Sequence, residues 1–177
     1  EFDRIIRQSK QKQQVSSEEC DTFFRRALML REEGLSSWPR AIRELNSHIE
    51  CQSTNAQAYL VRGQIKADYK SFDEAKRDYA RATELALSSN RPRVGAEAHY
   101  ESARVLKRVK QFKTADLMTM LNQAVETDAT FAPPHRDLCV LLRESNRKSA
   151  KLHCKAYLKA APDGLYATEV REVLRNL

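Results

Sequence analysis

The chain has 177 residues, a length typical of one domain, with 31 basic and 24 acidic residues for a net charge of +7. A chain of this size buries on the order of two-thirds of its unfolded surface, so neither a disulfide nor a metal ion is needed to hold it folded. Only 4 glycines and 5 prolines are present, which excludes collagen-like, proline-rich and most all-β classes because these need frequent turn residues. No run of about 18 apolar residues occurs, so we expect no transmembrane segment. The composition predicts an all-α protein.

Residues 1–16 are polar and rich in Gln, Lys and Ser. This composition predicts a tail or a solvated helix. Ser16 and Glu19 have the spacing of a capping box, in which the two residues satisfy each other's free backbone N–H groups. We therefore expect the first helix to begin near residue 17 and the folded domain to span 17–177.

The best-defined unit covers residues 56–87. Its large and small side chains lie at positions 4, 8, 17, 20, 24 and 27 when counted from Ala56: Tyr59, Gly63, Phe72, Ala75, Tyr79 and Ala82. Gly63 and Ala82 leave room for two helices to approach closely, and the aromatic side chains fill the seam. This pattern resembles the tetratricopeptide repeat (TPR), a 34-residue helix–turn–helix unit. The resemblance implies an all-α solenoid of about four such hairpins.

Three weaker units flank this one. Residues 20–54 carry Trp38, Ala41, Leu45 and His48 at 34 residues before the second-helix positions of the best unit. Residues 96–129 follow after a predicted loop at 86–95, with Phe112 and Ala115 matched to Phe72 and Ala75 at a shift of 40. The small residue Ala124 comes two positions late for this match. Residues 132–162 close the array with Cys139, Ala150, Cys154 and Tyr157.

The apolar pattern of residues 165–177 predicts a final amphipathic helix that covers the open end of the array. Its apolar side contains Leu165, Val170, Val173, Leu174 and Leu177. Asp163 is the predicted N-cap, because its carboxylate can accept a free backbone N–H at a helix start.

The four cysteines, at 20, 51, 139 and 154, form no C-x-x-C pair, and no histidine pair has zinc-ligand spacing. Three of the four fall on packing positions of the predicted helices. We expect reduced packing cysteines, no metal ion and no cofactor, which favours a reducing, cytoplasmic location. Export is the alternative if a signal peptide precedes Glu1.

No pattern typical of catalysis is found. The four glycines are isolated, so no phosphate-binding loop is predicted. His153 and Cys154 are adjacent, and adjacent side chains on a helix diverge by about 100° and cannot form a base–nucleophile dyad. The sequence therefore favours a non-enzymatic protein.

The TPR resemblance implies that the first helix of each unit lines a concave groove that binds a peptide or helical segment of a partner protein. The side chains at these positions form the predicted groove: Leu60, Val61, Gln64, Tyr100, Arg104, Lys107, Arg108, Arg136, Val140 and Arg143. Their mixture of apolar and cationic groups predicts an acidic segment with apolar anchors, bound by an adaptor that assists complex assembly. Glu97 and Glu101 stand where the chaperone-tail-binding TPR subclass needs cations, so that subclass is disfavoured.

The positive charge is concentrated near the end of the chain. Residues 130–162 contain seven basic and two acidic side chains. Phosphates could bind such a patch, which leaves nucleic-acid binding, RNA in particular, as the alternative function. Aromatic side chains for base stacking are not interleaved with the basic ones, so a protein partner is favoured.

Overall fold

The computed structural model describes residues 15–109 and 112–177, and this part of the chain contains α-helices and no strands. The helices within these ranges are α1 (Ser17–Glu32), α2 (Trp38–Cys51), α3 (Ala56–Asp68), α4 (Phe72–Ser88), α5 (Pro92–Arg108), α6 (Thr114–Thr127), α7 (Ala132–Leu141), α8 (Arg147–Ala160) and α9 (Ala167–Arg175). The predicted all-α class is confirmed. Most of residues 1–16, predicted as a tail or solvated helix, lie outside the described residues.

The helices pack as successive hairpins. α1 pairs with α2, α3 with α4, α5 with α6 and α7 with α8, while α9 packs on α8 and α7. Neighbouring hairpins join through α2 and α3, α4 and α5, and α6 and α7, and α3 also contacts α5. Each hairpin thus contacts mainly its neighbours along the chain, which is the arrangement of an α-solenoid and the one that the TPR resemblance implies.

The start of α1 follows the sequence prediction. The Ser16 hydroxyl accepts the Glu19 backbone N–H at 3.2 Å, and the Glu19 carboxylate accepts the Ser16 backbone N–H at 2.9 Å. These two bonds form the predicted capping box. They satisfy two of the four N–H groups that a helix start leaves free.

The start of the last helix differs from the prediction. α9 begins at Ala167, its N-cap is Tyr166 without a side-chain hydrogen bond, and Asp163 does not cap it. Leu165 is 88% exposed because it lies in the turn before the helix. Ala167 packs in place of Leu165, in a core shared with Tyr157 of α8. The other residues of the predicted apolar side pack in or against the same core: Val170, Val173, Leu174 and Leu177.

The predicted loop at 86–95 is also wrong. α4 continues to Ser88 and α5 begins at Pro92, so only residues 89–91 form the turn. Pro92 starts the helix because the first helical position needs no N–H donor, and proline has none. Asn90 completes the turn with a positive φ of 52°, a conformation that asparagine tolerates better than most residues.

The second helix of the third unit has a different register from the predicted one. Ala115 is exposed, whereas Leu117 and Leu121 are buried. Leu117 lies 42 residues after Ala75, so the shift from the best unit is 42 rather than 40 here. The additional residues fall in the connection between α5 and α6.

The expectation of reduced cysteines is contradicted. Cys20 and Cys51 form a disulfide that joins α1 to α2, and Cys139 and Cys154 form one that joins α7 to α8. In both cases antiparallel packing brings distant residues face to face, with Cα atoms 6.1 and 4.9 Å apart. Sequence spacing alone does not show this, because the pairing depends on hairpin register.

Within the described residues, no helix has the length and apolar character needed to cross a membrane.

Candidate functional site

The polar side chains on the first helices of the hairpins form one connected surface with the last helix. We call it the first-helix face, and it comprises residues of α3, α5, α7 and α9: Gln64, Asp68, Glu101, Arg104, Lys107, Arg108, Arg136, Asp137 and Glu169. Each of these helices contributes at least one side chain that bonds to another helix of the face. The surface therefore continues across three contacts between helices: α3 with α5, α5 with α7, and α7 with α9.

Two contacts connect α3 to α5. Gln64 Nε2 donates to Glu101 Oε1 at 3.3 Å, and Arg108 Nη1 donates to Asp68 Oδ1 at 3.2 Å. Arg104 adds a pair within α5, with Nη1 at 3.0 Å from Glu101 Oε1. The Glu101 carboxylate is thus shared between helices and is not free to repel an anionic ligand.

Asp137 and Arg136 continue the row towards the end of the chain. Lys107 Nζ of α5 donates to Asp137 Oδ2 at 3.0 Å, and Arg136 Nη1 donates to Asp137 Oδ1 at 2.9 Å. Arg136 Nη2 also donates to both carboxylate oxygens of Glu169, at 2.9 and 3.0 Å. The Asp137 side chain is only 6% exposed, and a carboxylate so buried needs these two cations.

The predicted groove residues Leu60 and Val61 do not belong to this face. They are 0% and 2% exposed. Leu60 packs in the core with Tyr79 of α4, and Val61 packs in the core with Leu45 of α2. α3 is covered by helices on both sides, so positions that resemblance assigned to a groove are used for packing between hairpins.

Tyr100 and Val140 are half-buried and supply the remaining apolar surface among the predicted residues. The Tyr100 ring meets the Phe131 ring edge to face, with centroids 5.7 Å apart. Burial, with a smaller contribution from the nearby Asp137 carboxylate, raises the pKa of the Tyr100 hydroxyl to about 12. The hydroxyl therefore stays protonated at neutral pH and can donate a hydrogen bond.

Arg143 lies at the far end of the predicted groove and is exposed. Its Nε lies 3.3 Å from Glu144 Oε1. With Glu144 it lines a cavity of about 390 Å³ whose other side is formed by Glu169, Glu172 and Val173 of α9. A second, smaller cavity of about 60 Å³ lies between Gln64, Glu101 and Arg108, and Arg31 of α1 also lines it.

The sequence-based site was incomplete on its acidic side. Asp68, Glu101 and Asp137 stand at positions that the TPR resemblance assigns to the groove, but the predicted binding residues do not include them. Glu169 of α9 lies outside the predicted groove. The sequence contains one signal for these ion pairs, because acidic and basic side chains recur at the same helical positions of successive units. Their pairing depends on how far each helix is displaced from the next, which a sequence does not specify.

One cluster of described residues has donors of the kind that bind zinc or copper: Cys20, His48 and Cys51. Its chemistry does not fit a metal ion. The two sulfurs are joined to each other, and His48 is fully buried with both ring nitrogens occupied. Nδ1 donates to the Cys20 carbonyl oxygen at 2.7 Å, and Nε2 accepts from Asn55 Nδ2 at 2.8 Å. His48 is a satisfied core histidine.

Comparisons with known proteins add little to this description. No protein-family model matches the chain, and no curated protein matches its sequence. Among solved structures, the chain is similar to YrrB, described as a TPR protein with an unusual peptide-binding site, at 16% identity and a TM-score of 0.39, over 85% of this chain and 90% of that one. The arrangement of stacked helical hairpins is shown by this chain's own helix order and packing.

Proposed function

We propose that this protein is a non-catalytic interaction scaffold whose first-helix face binds a segment of a partner protein. The observation that carries the proposal is the unbroken row of cross-helix contacts from Gln64 on α3 to Glu169 on α9. A stack of hairpins presents such a face over its whole length, and long surfaces of this kind suit extended or helical peptides. Residues 17–177 would act together as one binding domain.

The composition of the face favours a partner segment of mixed charge over an acidic one. Lys107 and Arg108, the predicted cationic residues of the groove on α5, each have a carboxylate within 3.2 Å. A purely acidic segment would have to compete with Asp68 and Asp137 for them. A segment with both acidic and basic side chains could form new ion pairs with the cations and the carboxylates of the face. No buried charge would then be left without an ion-pair partner. Tyr100 and Val140 would supply the apolar contacts.

Arg104 and Arg81 provide a matched test. Their side chains are 55% and 41% exposed, and each pairs with a glutamate three residues away on its own helix, at 3.0 Å for Arg104–Glu101 and 2.7 Å for Arg81–Glu84. Arg104 lies on the first-helix face, whereas Arg81 lies on α4, a second helix. A photo-crosslinking amino acid placed at 104 should give discrete protein adducts in the source cells, and one placed at 81 should not.

The partner identified in this way can then be titrated against the purified chain. Arg104→Glu should weaken its binding by tenfold or more, and Arg81→Glu should leave binding unchanged. Adducts of equal yield at both positions, or equal loss of affinity in both variants, would show that the first-helix face is not the binding site.

The disulfides support an oxidising location. They therefore favour export over the cytoplasmic location that the sequence predicts. Disulfides persist mainly in secreted, periplasmic or surface proteins. We infer that the protein works in such a compartment. Its mass, measured without reductant from the source cells, should be lower than the reduced mass by two hydrogens for each pair.

A further inference from the structure

The helix α8 carries a line of exposed lysines on the side that faces away from the core. Lys148, Lys151, Lys155 and Lys159 recur every three or four residues and are all exposed. This spacing keeps them on one side of an α-helix. We call these four residues the α8 lysine face. The helix itself, Arg147–Ala160, contains no acidic residue.

The α8 lysine face differs from the first-helix face in its charge balance. Within residues 15–109 and 112–177, none of the four lysines has a carboxylate within ion-pair distance, whereas Lys107 and Arg136 each pair with Asp137. The lysines are therefore four cations whose charge the described part of the fold does not neutralise. Concentrated on one helix, they attract a ligand with a regular array of negative charges.

We propose that the α8 lysine face binds the phosphate backbone of double-stranded nucleic acid without reading its sequence. Lysine acts as a point charge towards phosphate and tolerates many geometries. Lys148 and Lys159 are separated by about 16 Å along the helix, at about 1.5 Å per residue. One strand of a duplex carries one charge per about 3.4 Å of duplex axis, so a line of this length laid along the axis spans about four phosphates.

Other anionic partners fit this surface less well. A helix that lies on a membrane inserts an apolar side into the lipid, but the apolar side of α8 is occupied, since Ala150, Cys154 and Tyr157 are buried in the core. Only Leu152 is a large exposed apolar side chain on this helix. Protein interfaces are depleted in lysine, and single-stranded nucleic acid is usually held by aromatic stacking, for which the α8 lysine face has no ring.

The salt dependence of binding gives a quantitative test. For a mixed-sequence DNA duplex of about 20 base pairs, four phosphate contacts predict that log K falls with log salt at a slope of about −3.6. Lys151→Gln with Lys155→Gln should reduce the magnitude of that slope by about 1.8. Fluorescence anisotropy over a salt series measures both values, and circular dichroism checks that the helices are intact.

Arg40 and Arg43 of α2 provide the control. Both are exposed, and Arg40→Gln with Arg43→Gln removes the same amount of charge from another second helix. This pair should leave the slope unchanged. An equal change in slope for both double variants would mean that net charge alone drives binding and would overturn the proposal.

Two further results would also overturn it. One is the absence of duplex binding at low salt. The other is binding of the chain to vesicles of phosphatidylserine and phosphatidylcholine in preference to the duplex, with loss in the lysine variant. Two duplexes of unrelated sequence should bind within about twofold of each other, and a large difference would contradict backbone recognition. The inference does not depend on the proposed partner segment, because it concerns a different surface. In the oxidising compartment inferred above, the ligand would be extracellular double-stranded DNA.

Discussion

Gly63 of α3 lies directly against the ring of Tyr79 of α4. A Cβ atom at residue 63 would be 2.6 Å from Tyr79 Cε1 and 2.8 Å from Cδ1. Tyr79 is fully buried, so its ring has no free space to move into. The closest approach of the two helices therefore depends on the missing side chain of Gly63.

Gly63→Ala should lower the free energy of unfolding by about 1–3 kcal/mol through overpacking, even though alanine gains about 1 kcal/mol in helix propensity. Gly95→Ala is the control, because the added methyl group would lie 3.1 Å from Thr127 Cγ2 and 3.6 Å from Ala86 Cβ, both farther than the Tyr79 ring atoms would be from a Cβ at residue 63. Urea unfolding compares the two. Equal effects would mean that the Gly63–Tyr79 contact does not limit the packing of α3 on α4.

Tyr79 and Tyr157 differ in what their hydroxyl groups contact. The Tyr79 hydroxyl is buried without a hydrogen-bond partner, and burial strongly raises its pKa. The Tyr157 hydroxyl accepts the Tyr166 backbone N–H at 3.2 Å. Tyr79→Phe should be neutral or stabilising by up to about 1 kcal/mol, whereas Tyr157→Phe should cost about 1 kcal/mol. Thermal and urea unfolding of both variants measure this, and a larger loss for Tyr79→Phe would contradict it.

The Cys20–Cys51 disulfide closes a loop of 31 residues and the Cys139–Cys154 disulfide one of 15. Restriction of the unfolded chain predicts stabilisation of about 4 and about 3 kcal/mol respectively. Reductant should therefore lower the unfolding free energy. The double variant Cys20→Ala with Cys51→Ala should reproduce the larger part of that loss. An unfolding curve that is the same with and without reductant would contradict the pairing.

His135 and His153 form a contact that depends on pH. Their Nδ1 atoms are 3.0 Å apart, and His135 Nε2 donates to the Ala129 carbonyl. His135 Nδ1 is thus the acceptor for the proton on neutral His153. Burial lowers the pKa of His153 below its ordinary 6.5, and His135 lowers it further.

The unfolded chain therefore binds a proton at His153 more readily than the folded one. Stability should be highest above pH 6.5 and fall as the pH drops towards the lowered pKa. His153→Gln should make the unfolding free energy less dependent on pH between 7.5 and 5.5. His99, whose pKa burial also lowers, contributes separately, so His99→Gln in the same background should reduce the remaining slope. An unchanged slope in His153→Gln would contradict this account.

The sequence predicted what depends on local pattern and missed what depends on helix displacement. The capping box at Ser16 and the packing role of Gly63 and Tyr79 follow from residue types at fixed spacings. The register of α6 does not, because additional residues before Thr114 shift Leu117 to the position expected for Ala115. The TPR resemblance assigns Leu60 to the groove because it carries over the position of a residue within the repeat. Whether that residue is buried depends on which helices cover α3 in this chain.

The two disulfides lie in the first and the last hairpin, and the hairpins between them have none. Each cross-link ties the two helices of one hairpin together, so that hairpin opens as a unit while the cross-link is intact. Reduction removes this constraint from α1–α2 and α7–α8 alone. Local opening should then increase in these two hairpins and stay unchanged in the two hairpins between them.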